Sequence, residues 1–552
     1  MEFVLILDFE LCHLSLNAMN SLFIVFITLA LFFWGYRIYA RKIESLWQVD
    51  SKRPTPAVTK YDGIDYVPAR HWLVLFGHHF SSIAGAGPIV GPVIACILWG
   101  WLPALVWIVF GTIFIGGIHD FGSLMCSVRQ EGSSIADIAK GVISNKAKII
   151  FSVFVWLALI LVIAVFTYLC ADTFVKEPKI VLPSLGLIPV AIVVGFLLYN
   201  VKTNNLLTTV FGLLILTGLI FLGNSFPFAF AQNGLTIWIV ILLAYCFLAS
   251  VMPVQILLQP RDYLSSFLLY AGVGFGYAGL VLLHPKITQP AYVAFKSGEG
   301  GIWPMMCVTI ACGAVSGFHS LIASGTTSKQ LPNERFARRI GYGGMVVEGM
   351  VAVMAVLAVC AGLKDNNLGD LLKQIGPINS FAQGYGEITK GILGNYGGFI
   401  AVTILNAFIL TTLDTATRIG RYLTEELFGV KSRYLATTVV VVLGGILALS
   451  GAWQKIWPVF GASNQLVAAL ALFVLSCWLL KHNKTLKFTI FPAIFMFVTT
   501  IFALVYQAGK YINTKDYLLF CVSVVLLLLA FYLLIESAKV LFRKDKEKGR
   551  QE

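Results

Sequence analysis

Charge is what this sequence has least of. Asp, Glu, Lys and Arg together make up 12% of its 552 residues, about half the share of a soluble domain. Hydrophobic residues account for 58% and the mean hydropathy is +0.84, so little chain is left for a soluble catalytic or signalling domain. No C-x-x-C pair occurs among the ten cysteines, and no other zinc-like spacing. Cys307 and Cys312 lie within one apolar run, so the thiols read as small buried hydrophobes, with neither disulfides nor a metal site expected. A basic leader is also missing. The first twenty residues carry Asp8 and two glutamates, so no cleaved signal peptide is expected and Ser21 to Tyr36 reads as a retained first span.

What is there is a succession of apolar runs. The chain reads as an all-α polytopic membrane protein of about 15 transmembrane helices: 20–36, 71–99, 102–127, 149–171, 185–199, 206–223, 235–253, 263–284, 303–327, 340–363, 397–417, 434–450, 456–480, 488–509 and 516–537. With these bounds no Lys or Arg falls inside a span. The net charge of +13 does not point to nucleic acid, because the basic residues sit in short connections. Alternate connections hold thirty of the 40 Lys and Arg, which predicts an amino terminus outside and a carboxyl terminus in the cytosol. The segment 1–70 is a first span plus a cytosolic loop, and 541–552 a basic tail that can touch anionic headgroups. Outer loop 364–398 carries amphipathic pieces, Leu368 to Ile375 and Tyr385 to Ile392, that suggest re-entrant or cap helices.

One span departs from the rest. Gly77 to Val93, GHHFSSIAGAGPIVGPV, has two histidines, two serines, four glycines and two prolines inside a run long enough to cross a bilayer. Unpaired backbone groups are costly in hydrocarbon, so a helix that breaks there must line protein or a cavity. Proline suits the first turn of a helix, which predicts a second half-helix starting near Gly87 or Pro88, its N–H groups able to attract a carboxylate. The pattern Gly77-x-His79-x5-Gly85 recurs as Gly317-x-His319-x5-Gly325, in GFHSLIASGTTSK. Seven spans are counted from the first copy's helix up to the second's, an odd number, which inverts the second. Each is followed by a Gly-Gly pair and a carboxylate: Gly116, Gly117 and Asp120, then Gly343, Gly344 and Glu348. This predicts two inverted halves, 71–300 and 301–540, with broken helices meeting at a substrate site.

The candidate substrate-binding residues are therefore His78, His79, Ser81, Ser82, Gly85, Gly87, His319, Ser320, Ser324, Thr326 and Thr327. Against this, the glycines can serve close helix packing and the histidines can tie backbone across a break. Coupling-ion candidates are His119, Asp120, Glu348, Thr411, Thr412 and Asp414, since ionisable groups at such depth are costly. They can instead be structural, Asp120 and Glu348 pairing with Arg129, Arg338 or Arg339, and Asp414 with Arg418 at i,i+4. Arg261 and Asp262 form a candidate cytosolic gate, or a fixed turn anchor. Gly85-x-Gly87-x3-Gly91 has no preceding strand and is not a nucleotide loop.

These stretches, with IHDF at Ile118, QPRDYL at Gln259, LDTATR at Leu413 and WPVFGASNQL at Trp457, make the chain resemble the carbon starvation protein A family of the amino acid–polyamine–organocation superfamily. The resemblance covers most of the chain. It implies a LeuT-like core of two inverted five-helix units with added helices. It further implies uptake of pyruvate or short peptides during carbon starvation, driven by protons, across a bacterial inner membrane. No enzyme activity, cofactor, metal or nucleic-acid partner is implied. Sodium coupling through the Ser and Thr hydroxyls, a nutrient sensor acting through a partner, and an intramembrane enzyme are the competing readings.

Overall fold

In hydrocarbon every backbone N–H and C=O must find a partner within the protein, which the helix supplies along its length. A computed structural model describes residues 19–201, 203–363 and 368–548, and each of the fifteen apolar segments lies on helix. Thirteen helices among the described residues are long and apolar enough to cross a membrane, and a bent pair makes a fourteenth. Arg433–Leu449, at 17 residues, is the shorter helix over segment 434–450.

In chain order, α1 is Ser21–Trp47 and the bent pair is α2, Trp72–Ile83, with α3, Gly87–Trp99, meeting at 42°. Then come α4 (Trp101–Arg129), α5 (Asn145–Lys176), α6 (Pro178–Leu198), α7 (Asn205–Ser225), α8 (Gly234–Val251) and α9 (Leu258–Leu283). The second irregular segment comprises α10 (302–310), a stretch without α-helix at 311–316, and α11 (Gly317–Gly325). The chain continues with α12 (Glu334–Gly362), α13 (Leu368–Leu393), α14 (Gly397–Phe428), α15 (Arg433–Leu449), α16 (Trp453–Lys481), α17 (Lys487–Asn513) and α18 (Tyr517–Lys548). The expected cap helices join in α13, bent at Gly376, whose φ of 81° is left-handed. The basic tail is helical as far as Lys548, and 549–552 lie outside the described residues.

Burial separates centre from rim. Segments 302–329 and Trp453–Lys481 are 94% buried over their apolar windows, whereas Leu206–Ser225 and Tyr517–Val540 are 28% buried. The rim presents Leu206, Leu207, Leu214, Phe221 and Leu528 outward, the apolar face that lipid demands. The two irregular segments are thus inside the bundle, with α9 packed along α2 and α16 along α11.

Position relative to the breaks corrects one reading. The first histidine motif lies on α2, before its break at Ala84–Ala86; the second lies on α11, after its break at 311–316. Equivalent parts of a repeat occur in the same chain order, so the recurring glycine–histidine pattern is not the repeat. The breaks themselves are the comparable features, and they touch. A Cβ on Gly87 would collide with Cys312, and one on Gly313 would lie 3.4 Å from Pro88 Cα.

Candidate functional site

A helix end leaves its last carbonyls and its first N–H groups without partners, and here side chains take them. Where α2 stops, Thr411 Oγ1 donates to Ser81 O at 2.8 Å and Thr412 Oγ1 to Ser82 O at 3.1 Å. The serine hydroxyls are engaged too, Ser81 with Asp262 O at 2.9 Å and Ser82 with Thr415 at 3.2 Å. Where α11 starts, Asn464 Oδ1 accepts from Phe318 N at 2.8 Å and from Ser316 Oγ at 3.2 Å. As expected, α3 starts at Gly87 with Pro88 in its first turn. Its N-terminal end faces the second break.

The hydroxyls of α11 turn inward. Ser320 donates to Gly317 O at 2.7 Å, Ser324 to Ser320 O at 2.7 Å and Thr326 to Ile322 O at 3.1 Å. Ser324 Oγ also accepts from Ile135 N at 3.1 Å. Thr411, Thr412, Ser81, Ser320, Ser324 and Thr326 thus donate to backbone in this conformation and Ser82 bonds Thr415. The sequence gives no sign of this, because a Ser or Thr that closes on its own helix looks the same as one that faces a cavity.

Gly85 lies at the first crossing. A Cβ there would come within 2.8 Å of Phe166 and of Thr412 Oγ1. Gly85→Ala is expected to cost about 1–3 kcal/mol by overpacking and to disturb the bond from Thr412 to Ser82. Thermal unfolding in detergent measures this, and an unchanged transition would show that the crossing has room.

His78 and His79 are adjacent on α2 and reach different partners, both with side chains fully buried. His78 Nδ1 lies 2.6 Å from Asp262 Oδ2, and its Nε2 is 3.1 Å from the Gln330 amide, which in turn accepts from Gln259 at 2.6 Å. Asp262 Oδ1 accepts from Arg261 Nη2 at 2.9 Å. Arg261 Nη1 bonds Asp414 Oδ2 and the Tyr245 hydroxyl, and Tyr245 donates to the same Asp414 oxygen at 2.7 Å. One permanent cation therefore sits between two carboxylates.

The second network has no Lys or Arg bonded to it among the described residues. Asp120 Oδ1 is 2.8 Å from His119 Nδ1 and its Oδ2 is 2.9 Å from His319 Nδ1. The other ring nitrogen of His319 stands 3.1 Å from Glu348 Oε2, off the hydrogen-bond direction, so both Glu348 oxygens lack a hydrogen-bond partner among the described residues. His79 Nδ1 bonds Thr327 at 2.9 Å, and its Nε2, like that of His119, has no hydrogen-bond partner among the described residues. No set of three metal-binding side chains converges among the described residues.

The structural pairings expected for these carboxylates are not the ones formed. Arg129 bonds Glu334 at 2.9 Å and Arg338 bonds Glu44 at 2.9 Å, leaving Asp120 and Glu348 to histidines. Asp414 pairs with Arg261 across helices rather than with Arg418, which bonds Asp65 at 3.2 Å. Nor does Arg261 sit in a cytosolic turn. It is 1% exposed in the first turn of α9, because this helix starts earlier than the apolar run suggests. Arg418 and Arg421 are likewise buried in α14, which continues past the apolar run that ends at Thr417.

Beyond these networks lies a cavity of about 480 Å³, open at one end of the bundle. Asp65, Asp137, Lys329, Arg421 and Tyr422 line it, with Ser324 and Gly325 from α11.

The profile of the family described as carbon starvation protein CstA matches residues 20–368 and 363–503. The chain belongs to this family. It is 32% identical over 561 residues to the peptide transporter CstA of Escherichia coli (strain K12), covering 86% of this chain and 80% of that one. It is 31% identical over 585 residues to the pyruvate/proton symporter BtsT of the same strain, covering 88% and 81%. In fold it is similar to the manganese transporter of Eremococcus coleocola, solved with an aromatic bis-isothiourea compound. The TM-score is 0.55 at 13% identity, over 87% of this chain and 99% of that one. Several residues of this CstA-family chain join the networks without having been singled out from sequence. Gln259 and Asn464 lie inside the stretches QPRDYL and WPVFGASNQL, and Gln330 directly follows the α11 motif, so position was a usable signal. Tyr245, in an unbroken apolar run, had none.

Proposed function

We propose that this chain is a secondary active transporter that takes up pyruvate or short peptides with protons by alternating access. The observation that carries the reading is the pair His78 and His79. Directly before a helix break, His78 ties α2 to the buried carboxylate Asp262 and His79 ties it to Thr327, just past the end of α11. A half-helix held in this way is a movable part whose restraints depend on protons. The peptide transporter and pyruvate/proton symporter among its relatives support the same class.

In this reading the halves 71–300 and 301–540 form a LeuT-like inverted-repeat core in a bacterial inner membrane, the carboxyl terminus in the cytosol. The 480 Å³ cavity is the cytosolic vestibule, and the substrate site lies where the breaks cross. His79, His319 and Thr327 remain substrate-side candidates. The coupling proton is held by one of the two networks, through Asp120, His119 and Glu348 or through Asp414. Arg261 and Asp262 act within the site rather than as an entrance gate. Proton coupling is favoured over sodium coupling by the pyruvate/proton symporter among the relatives. No covalent chemistry is assigned to the site.

Uptake of labelled pyruvate and of a labelled dipeptide into proteoliposomes, each competed by the other, tests this. An imposed inward proton gradient is expected to drive accumulation, and an imposed sodium gradient is not. Uptake that ignores the proton gradient would sink the reading.

A further inference from the structure

Arg261 and Asp414 face each other across α9 and α14, 1% and 0% exposed. The pair has spare capacity: Arg261 Nε and Asp414 Oδ1 are buried without a hydrogen-bond partner among the described residues. It also lies on a route. On α14, Thr411 and Thr412 reach the first helix break, Asp414 holds Arg261, Arg418 bonds Asp65 at 3.2 Å, and Tyr422 bonds Asp65 at 2.5 Å. Asp65 and Tyr422 line the cavity. Successive members four residues apart on a helix are about 6 Å apart along its axis. The pair is therefore about two turns from the cavity and about one from the break.

A buried guanidinium cannot be left alone, since removing one partner strands an uncompensated charge. Arg261 must hold an anion at every stage of a transport cycle. The planar fork that now holds Asp414 suits any other carboxylate equally well.

We propose that Arg261 is the clamp for the substrate's carboxylate and that Asp414 is its exchangeable counter-ion, leaving the arginine by taking up a proton as the substrate arrives. This rests on the reading of the chain as a proton-coupled transporter, and adds the chemical group that is recognised and the residue at which the proton is coupled to it. The exchange balances. An O–H bond forms on Asp414 with a proton drawn from the aqueous side, the ion pair with Arg261 breaks, and an equivalent pair forms with the substrate carboxylate. Net charge in the site is unchanged, so one proton enters with each carboxylate. Without the proton, Asp414 occupies the clamp and the substrate is excluded.

The groups facing this pair are few. Asp262 shares Arg261 on α9, with His78 of α2 behind it, and Tyr245 of α8 bonds both Arg261 and Asp414. The thiols of Cys170 on α5 and Cys246 on α8 lie near Asp414, and Arg418 follows it on α14. The carboxylate shared by pyruvate and the C-terminus of a peptide is the recognised chemistry.

Binding to the purified full chain is measured across pH with pyruvate, with alanyl-alanine and with alanyl-alanine amide. The wild type is expected to bind the carboxylates about tenfold more weakly for each unit of rising pH while Asp414 is charged in the empty protein. The amide is expected to bind far more weakly than the acid. Asp414→Asn is expected to keep binding and lose the pH slope, and Asp414→Glu to restore it. Equal binding of amide and acid would overturn the clamp. A full slope in Asp414→Asn would overturn the counter-ion role and place the proton elsewhere, as in the His319 network. If Asp414→Asn does not fold, calorimetry of the wild type with pyruvate, in buffers of different ionisation enthalpy, decides. Uptake of one proton per ligand supports the exchange and uptake of none overturns it. A wild type that transports neither pyruvate nor a dipeptide overturns the proposed function itself, which separates that failure from this one.

Discussion

Arg261→Met is expected to destabilise the protein by about 3–5 kcal/mol, because it leaves Asp414 and part of Asp262 as buried charges without a cation. The arginine is 1% exposed and bonds both carboxylates, so water cannot take over its role without opening the packing of α8, α9 and α14. The informative variant is the double one. Arg261→Met with Asp414→Leu removes the cation together with the anion it chiefly serves, and His78 still holds Asp262. Most of the lost stability should return, since apolar replacement of a whole buried pair is often neutral or stabilising. Thermal unfolding of both single variants and the double variant gives the coupling between the two positions. A double variant as unstable as Arg261→Met alone would show that the arginine acts through something other than its charge.

That pair also shows why some of the molecule was legible in the sequence and some was not. The helices were legible because lipid demands long apolar runs, and each expected segment is largely helical, 71–99 and 303–327 with a break. The first break was legible because Gly85, Gly87 and Pro88 are residues that end one helix and begin another. The second break was displaced. GFHSLIASGTTSK contains the glycine and hydroxyl residues of a broken helix, yet most of it is helical as α11, its hydroxyls closing on their own carbonyls. The irregular backbone precedes it at 311–316, where the sequence ACGAVS has no proline to announce a break. Arg261 and Asp414 are 153 residues apart in the chain. An arginine beside a proline at the edge of an apolar run looks like a loop residue, and an aspartate with an arginine four residues on looks locally paired. In both cases the nearer and more ordinary partner was displaced by a distant one that only the packing of α9 on α14 provides.

The same contrast sets the second large expectation, at two histidines that the sequence presents as equivalents. His319 reaches two carboxylates, Asp120 at 2.9 Å and Glu348 at 3.1 Å, with no Lys or Arg bonded to either among the described residues. His79 makes one hydrogen bond, to Thr327 at 2.9 Å. His319→Ala removes the one group that separates Asp120 from Glu348 and leaves His119 to serve Asp120 alone. A loss of about 3–5 kcal/mol is expected, the range for breaking a buried charged pair, with uptake abolished. His79→Ala strands only the Thr327 hydroxyl and opens a small void, for a cost of about 1–3 kcal/mol. Its ring lies against Gly344, where an added Cβ would be 3.0 Å from His79 Cδ2, so α2 and α12 can close over part of the gap. Adding Glu348→Gln to His319→Ala should recover a substantial part of the stability, because the stranded charge is then one rather than two, while adding it to His79→Ala should not. Melting curves of the four variants, read beside proton-driven uptake, separate the cases. Equal losses at the two histidines, or no rescue by Glu348→Gln, would mean that His319 supports packing rather than charge.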